Sequence, residues 1–211
     1  MKTKILVFLA LIGITVIISS FSFLSTSCSP GNAMEPPTDY PKYLSDWKRV
    51  DSLEKRRLPK SALKIVDEIY IKAKAEENYP QFIKASLYKL KLQSDFKEDF
   101  MEMAISDLND EIAQSESPVK QILYSIQAEL YWRYYQSNRY KFMERTVGGD
   151  INSDDIKTWD LKHLLDVVIK NYLASLENPD DLKRTHLKDY DAILDTSKHS
   201  KEYRPTIYDF L

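Results

Sequence analysis

The chain has 211 residues, 43% of them hydrophobic, with 30 basic and 32 acidic side chains and a formal charge of −2. That balance gives no basic field for nucleic acid, and a single Cys excludes an internal disulfide framework or a Cys-cluster zinc site. Four Gly, where ordinary usage gives about 15, argue against Gly-rich phosphate loops, nucleophile elbows and tight hairpins.

Met1-Lys2-Thr3-Lys4 is a short basic segment, and twelve of the fourteen residues from Ile5 to Ile18 are apolar. A stretch rich in small residues then leads to Ser25-Thr26-Ser27-Cys28. This is the layout of a secretory signal, removed from the mature chain. Cys28 stands where a bacterial lipoprotein carries its acylated residue, so residues 1–27 are expected to be a lipoprotein signal peptide and Cys28 the lipidation site. Acyl chains contribute about 0.8 kcal/mol per buried CH₂, and more than one anchors a protein stably. Ser25 stands where the usual lipobox has Leu. Two other outcomes use the same residues: an uncleaved Ile5–Leu24 anchor, with fifteen of twenty residues apolar, or ordinary cleavage that leaves a free thiol. Removal of Lys2 and Lys4 leaves 28 basic and 32 acidic residues, a net charge of −4. Residues 28–42 hold four of the nine prolines and no hydrophobic period, which predicts a flexible tether.

From 43 to 211 the spacing predicts helices. Tyr43–Arg57 carries Leu44, Trp47, Val50 and Leu53 at i, i+3 intervals. Leu58-Pro59-Lys60-Ser61 is a break whose Pro suits the first turn of the next helix. That helix runs to about Glu77, with Leu63, Val66, Ile69, Tyr70 and Ala73 on one face. Asn78-Tyr79-Pro80 repeats the punctuation before a third helix, about 81–94, with Ile83, Leu87, Tyr88 and Leu90. A fourth, about 97–114, places Phe100, Ala104 and Leu108 beside Met101, Ile105 and Ile112. Ser115-Glu116-Ser117-Pro118 is read as the cap and first-turn Pro of a fifth helix.

The fifth helix, Val119 to about Arg145, is apolar on two faces and is expected to be a central element covered on both sides. Gly148-Gly149 reads as a hinge. Trp159–Leu176 is the next helix, with Asp154 and Asp155 ahead of it to meet the helix dipole. Asn178-Pro179-Asp180-Asp181 opens a shorter one, and Tyr190–Leu194 a further turn or two. The fold class is therefore all-α. Segments 62–92 and 104–132 each form a helix, a Pro-marked turn and a second helix, which suggests antiparallel pairs stacked as an irregular, tetratricopeptide-like α-solenoid.

Chemistry-bearing patterns are sparse. His163, His186 and His199 lack metal-ligand spacing, and the Asp154-Asp155 and Asp180-Asp181 pairs suit helix starts better than acid–base work. Lys55-Arg56-Arg57 reads as a solvated helix end. No metal, cofactor or enzymatic centre is implied. The aromatic group Tyr131, Trp132 and Tyr135 offers a binding surface for sugar or peptide, set against a structural core as the default.

An ordered series of segments resembles a known family. Trp47–Lys55, Leu58–Leu63, Ile69–Lys74, Gln81–Ala85 and the closing Tyr203-Arg204-Pro205-Thr206-Ile207-Tyr208-Asp209-Phe210-Leu211 together look like the N-terminal helical region of bacterial alpha-2-macroglobulin-like envelope lipoproteins. The resemblance spans Tyr43–Leu211. It implies a helical region that precedes macroglobulin β-sandwich domains, in a family thought to trap proteases with a bait segment and, in many members, a Cys-Gly-Glu-Gln thioester. Neither feature is in this sequence, so no catalytic residue carries over. Macroglobulin domains or proteases are the implied partners, besides the membrane at the acylated end. Ile207–Leu211 reads as the start of a helix, so the helical domain is expected to continue or to be truncated there. Ser29–Ala33 lacks the acidic residues that direct surface export in some lineages, favouring an outer-membrane lipoprotein that faces the periplasm. The alternative is an independent helical-repeat lipoprotein that binds peptide or glycan.

Overall fold

A computed structural model describes residues 40–96, 99–145, 152, 155–190, 193 and 203–211. Their regular structure is helical, without a strand; an isolated antiparallel bridge joins His186 and Thr206. The residues fall into two compact units. The first runs through Phe96 and includes Leu187–Tyr203; the second holds Lys97–His186 and Arg204–Leu211. Cys28, the signal, most of the tether, Gly148-Gly149, Asp154 and His199 lie outside the described residues.

The first unit begins with α1 (Tyr40–Lys55), α2 (Pro59–Ala75) and α3 (Tyr79–Ser94). Helix α1 starts inside the stretch read as tether, because Pro41 falls in its first turn, where a missing N–H is tolerated. Its buried stripe is Tyr43, Trp47 and Val50, at i, i+4 and i+7, while Leu44 faces outward. In α2, Ala62 and Ile65 join Val66, Ile69 and Ala73 in the core, and Leu63 is only half-buried. In α3 the core positions are Phe82, Ile83, Ala85 and Leu92, not Leu87 or Leu90. Burial is decided by where the neighbouring helices lie. A broad apolar face does not specify which of its rows they cover.

Both links in this unit share one geometry. Arg57 and Glu77 adopt φ of 57° and 53°. Leu58 N then donates to Leu53 O at 3.0 Å, and Asn78 N to Ala73 O at 2.9 Å. This is the six-to-one closure of a helix C-terminus, usually made by Gly at the left-handed position. Each turn then enters the next helix through one non-helical residue, Leu58 or Asn78, and a Pro in the first turn. At the second entry the Asn78 side chain accepts from Gln81 N, capping α3. Lys55, Arg56 and Arg57 are exposed at the end of α1, as a solvated helix end requires.

Polar contacts tie α1 to both neighbours. Lys42 Nζ and Tyr43 Oη donate to the two oxygens of Glu76 at 2.7 and 2.6 Å. These bonds, the Lys42 one foremost, hold the Glu76 carboxyl below its usual value. Trp47 Nε1 donates to Gln81 Oε1 at 2.7 Å inside the core, and Lys91 pairs with Glu54 at 2.7 Å. Lys84 Nζ lies 4.4 Å from the Trp47 ring centre. Burial lowers its ammonium to about 8, with Asp51 acting in the opposite direction.

The second unit contains α4 (Phe100–Gln114), α5 (Val119–Glu144), α6 (Leu161–Ala174), α7 (Pro179–Arg184) and α8 (Ile207–Phe210). Helix α5 packs against both α4 and α6, so the two-sided apolar pattern does mark the central helix of this unit. Leu123 and Leu164 are fully buried, and Ala104, Leu108, Ile112, Ala128 and Val168 surround them. Pro118 occupies the cap position of α5, not its first turn, and no side chain caps that helix. Asn138 breaks helical geometry at φ −116°, ψ 17°, and its amide donates to Tyr134 O at 3.0 Å. A side chain that bonds the carbonyl four residues back competes with the ladder and bends a helix.

The start of α6 corrects one expectation. Asp160, 5% exposed, accepts from His163 N at 2.7 Å and is the cap. Asp155 instead caps the single 3₁₀ turn Ile156–Thr158 through Lys157 N at 2.9 Å. Asp180 and Asp181 do stand in the first turn of α7, where Asp181 pairs with Arg184. Helix α8 carries a reciprocal cap between Thr206 and Asp209. It is joined to α7 through Ile207 N and Thr185 O at 3.0 Å and the Lys183 ammonium over the Tyr208 ring.

Candidate functional site

The aromatic residues singled out in the sequence diverge around α5. One residue advances the helix by about 100°, so Tyr131 and Trp132 point in different directions. Tyr131, 4% exposed, stacks on Trp159 with ring centres 5.4 Å apart. Trp132 and Tyr135 are half-buried, pair with each other at 5.2 Å, and continue through Tyr135 to Phe142 at 5.7 Å. Tyr131 alone of the three lines the cleft of the second unit.

That cleft, about 880 Å³, is lined by α4, α5, α6 and Trp159, a size in the range of ligand sites. At one place Trp159 is held by Tyr131 and by the His163 ring, which meets it edge-on at 4.7 Å. Trp159 Nε1 donates to Asn152 O at 2.9 Å, and Arg145 Nη1 donates to Trp159 O at 2.6 Å. The indole is thereby fixed from both sides of the chain segment around it. His163 is half-buried and serves as a packing partner here.

Buried amides form the polar part. Gln127, 2% exposed, donates from Nε2 to Asn109 Oδ1 at 2.8 Å and Ile105 O at 3.4 Å. Asn171, 7% exposed, donates from Nδ2 to Val167 O at 2.9 Å. Since a backbone carbonyl only accepts, these bonds fix which end of each amide is nitrogen. Burial pushes the Tyr131 hydroxyl up to about 12, so it remains a neutral donor at ordinary pH. Tyr172, also on α6, is pushed to about 12 by burial first and by the Glu129 carboxylate second.

Among the described residues, no group of three or more His, Cys, Asp and Glu could hold a metal ion. No described helix is long and apolar enough to cross a membrane; Ile5–Leu24 lies outside the described residues. The cleft-lining residues missed by sequence reasoning are Gln127, Asn171 and Trp159. A Gln or Asn on the apolar face of a helix is a readable signal, yet nothing local says whether it meets a partner or an opening. Comparison with protein-family models, curated proteins and solved structures finds no match to this chain.

Proposed function

We propose that the protein is a lipid-anchored, non-catalytic helical scaffold of the cell envelope, similar to the N-terminal region of an alpha-2-macroglobulin-like lipoprotein, on an outer membrane and facing the periplasm. The observation that carries it is the order at the N-terminus: Lys2 and Lys4, the apolar run from Ile5, small residues, the single Cys28, then a Pro-rich stretch. The helical body would space or dock partners, macroglobulin domains or proteases among them. The twice-repeated link geometry at Arg57–Pro59 and Glu77–Pro80 supports an irregular solenoid built from helix pairs. Metabolic labelling with palmitate tests the anchor. Wild type is expected to incorporate label and partition with membranes, and Cys28→Ala to lose the label. Equal labelling of both, or none in wild type, refutes it.

A second reading, a helical-repeat lipoprotein that binds peptide or glycan, is favoured by the α4–α5–α6 cleft. It shares the anchor and differs in giving this chain a ligand of its own.

A further inference from the structure

We propose that the cleft lined by α4, α5 and α6 binds an extended peptide segment carrying an aliphatic side chain and a carboxylate. This deepens the second reading and is independent of the anchor. Three features of the lining select that ligand. First, Gln127 and Asn171 commit their amide nitrogens to protein carbonyls or side chains. Their oxygens, and the Tyr131 hydroxyl, line the cleft and take no bond from another described residue. Amide oxygens in the lining of an open cleft can accept from donors such as peptide N–H groups. Second, Ile169 and Leu173 line the cleft from α6, one turn apart, at 57% and 64% exposure. They give an aliphatic side chain a surface to cover. Of the aromatic rings in the lining, Tyr131 and Trp159 cover each other and Tyr124 is half-buried, so this aliphatic pair is the most exposed apolar surface of the cleft. Third, Lys120 and Lys170 line the cleft without an ion pair among the described residues. Of the two acids there, Asp166 is paired with Lys162 at 2.6 Å, leaving Glu177. The unpaired charges sum to a positive site, complementary to one carboxylate.

The test uses the full-length chain in lipid nanodiscs, with empty nanodiscs as background. Fluorescein-labelled ten-residue peptides pairing Leu or Ile with Asp or Glu at varied spacing are titrated by anisotropy, and a glycan array is run in parallel. Binding is expected for acidic-aliphatic peptides, at least about ten-fold weaker when Ala replaces the aliphatic residue or amides replace the acids. Ile169→Asp with Leu173→Asp, exposed sites that leave the core untouched, is expected to weaken binding by a similar factor at unchanged melting temperature. Lys120→Gln with Lys170→Gln is expected to abolish the preference for acid while keeping residual binding. Peptide binding that is indifferent to these variants overturns the assignment to this cleft. Glycan binding without peptide binding overturns the peptide ligand and leaves the second reading standing. Binding of neither overturns both.

Discussion

Replacing Gln81 by Leu leaves the Trp47 indole N–H buried without an acceptor, since the 2.7 Å bond joins two side chains that are each 4% exposed. An unsatisfied buried donor costs about 1–3 kcal/mol. Trp47→Phe strands the Gln81 oxygen in the same way and removes ring area besides, for about 2–4 kcal/mol in all. The double variant strands nothing. It is therefore expected to be more stable than the sum of the singles predicts, by about 1–2 kcal/mol. Lys84 over the Trp47 ring keeps an aromatic face in Trp47→Phe, so its loss does not dominate the cycle. Urea titration followed by far-ultraviolet circular dichroism measures all four free energies. In a body of this size, 1 kcal/mol corresponds to about 2–4 °C in melting temperature. Strict additivity, within about 0.3 kcal/mol, would refute the assignment of this bond as the link between α1 and α3.

Lys84 supplies a pH test. Its folded value is about 8, against about 10.4 for an unfolded lysine. Between those limits the unfolded chain holds more protons, so stability rises with pH. The penalty for the buried charge is fully present below about 8 and relieved towards 10.4, so the stability gap between Lys84→Met and wild type should narrow across that window; a constant gap refutes the burial. Glu77→Gly and Arg57→Gly relieve side-chain crowding at left-handed positions and are each expected to stabilise by about 0.5–1 kcal/mol, net of added chain entropy. Destabilisation by either, in thermal melts, would show that the side chain itself matters. Asp160→Ala is expected to cost about 1–2 kcal/mol and Asp160→Asn much less, since Asn also caps; equal losses would place the effect in the carboxylate charge instead.

Helix existence, order and the central place of α5 in its unit were legible because apolar residues recur at 3.6-residue spacing between Pro-marked breaks, and that periodicity is local. Which row of an apolar face is buried was not. Ile65 and Leu92 lie in the core while Leu44 and Ile169 face outward, a choice made by where neighbouring helices pack. The caps show the same division. Asp155 and Asp160 are chemically equivalent in sequence, and only backbone geometry decides that Asp160 heads α6. The scarcity of Gly correctly announced helices, but the structure closes two of them with Arg57 and Glu77 in a conformation Gly usually takes. Sequence also brought Tyr131, Trp132 and Tyr135 together as one aromatic group. The helix separates them by angle, and only packing puts Tyr131 beside Trp159, Gln127 and Asn171 at a single opening. Periodicity and punctuation thus determined the elements by themselves, because both act within a few residues. The cleft required tertiary structure, because its lining comes from three successive helices whose packing no local pattern specifies.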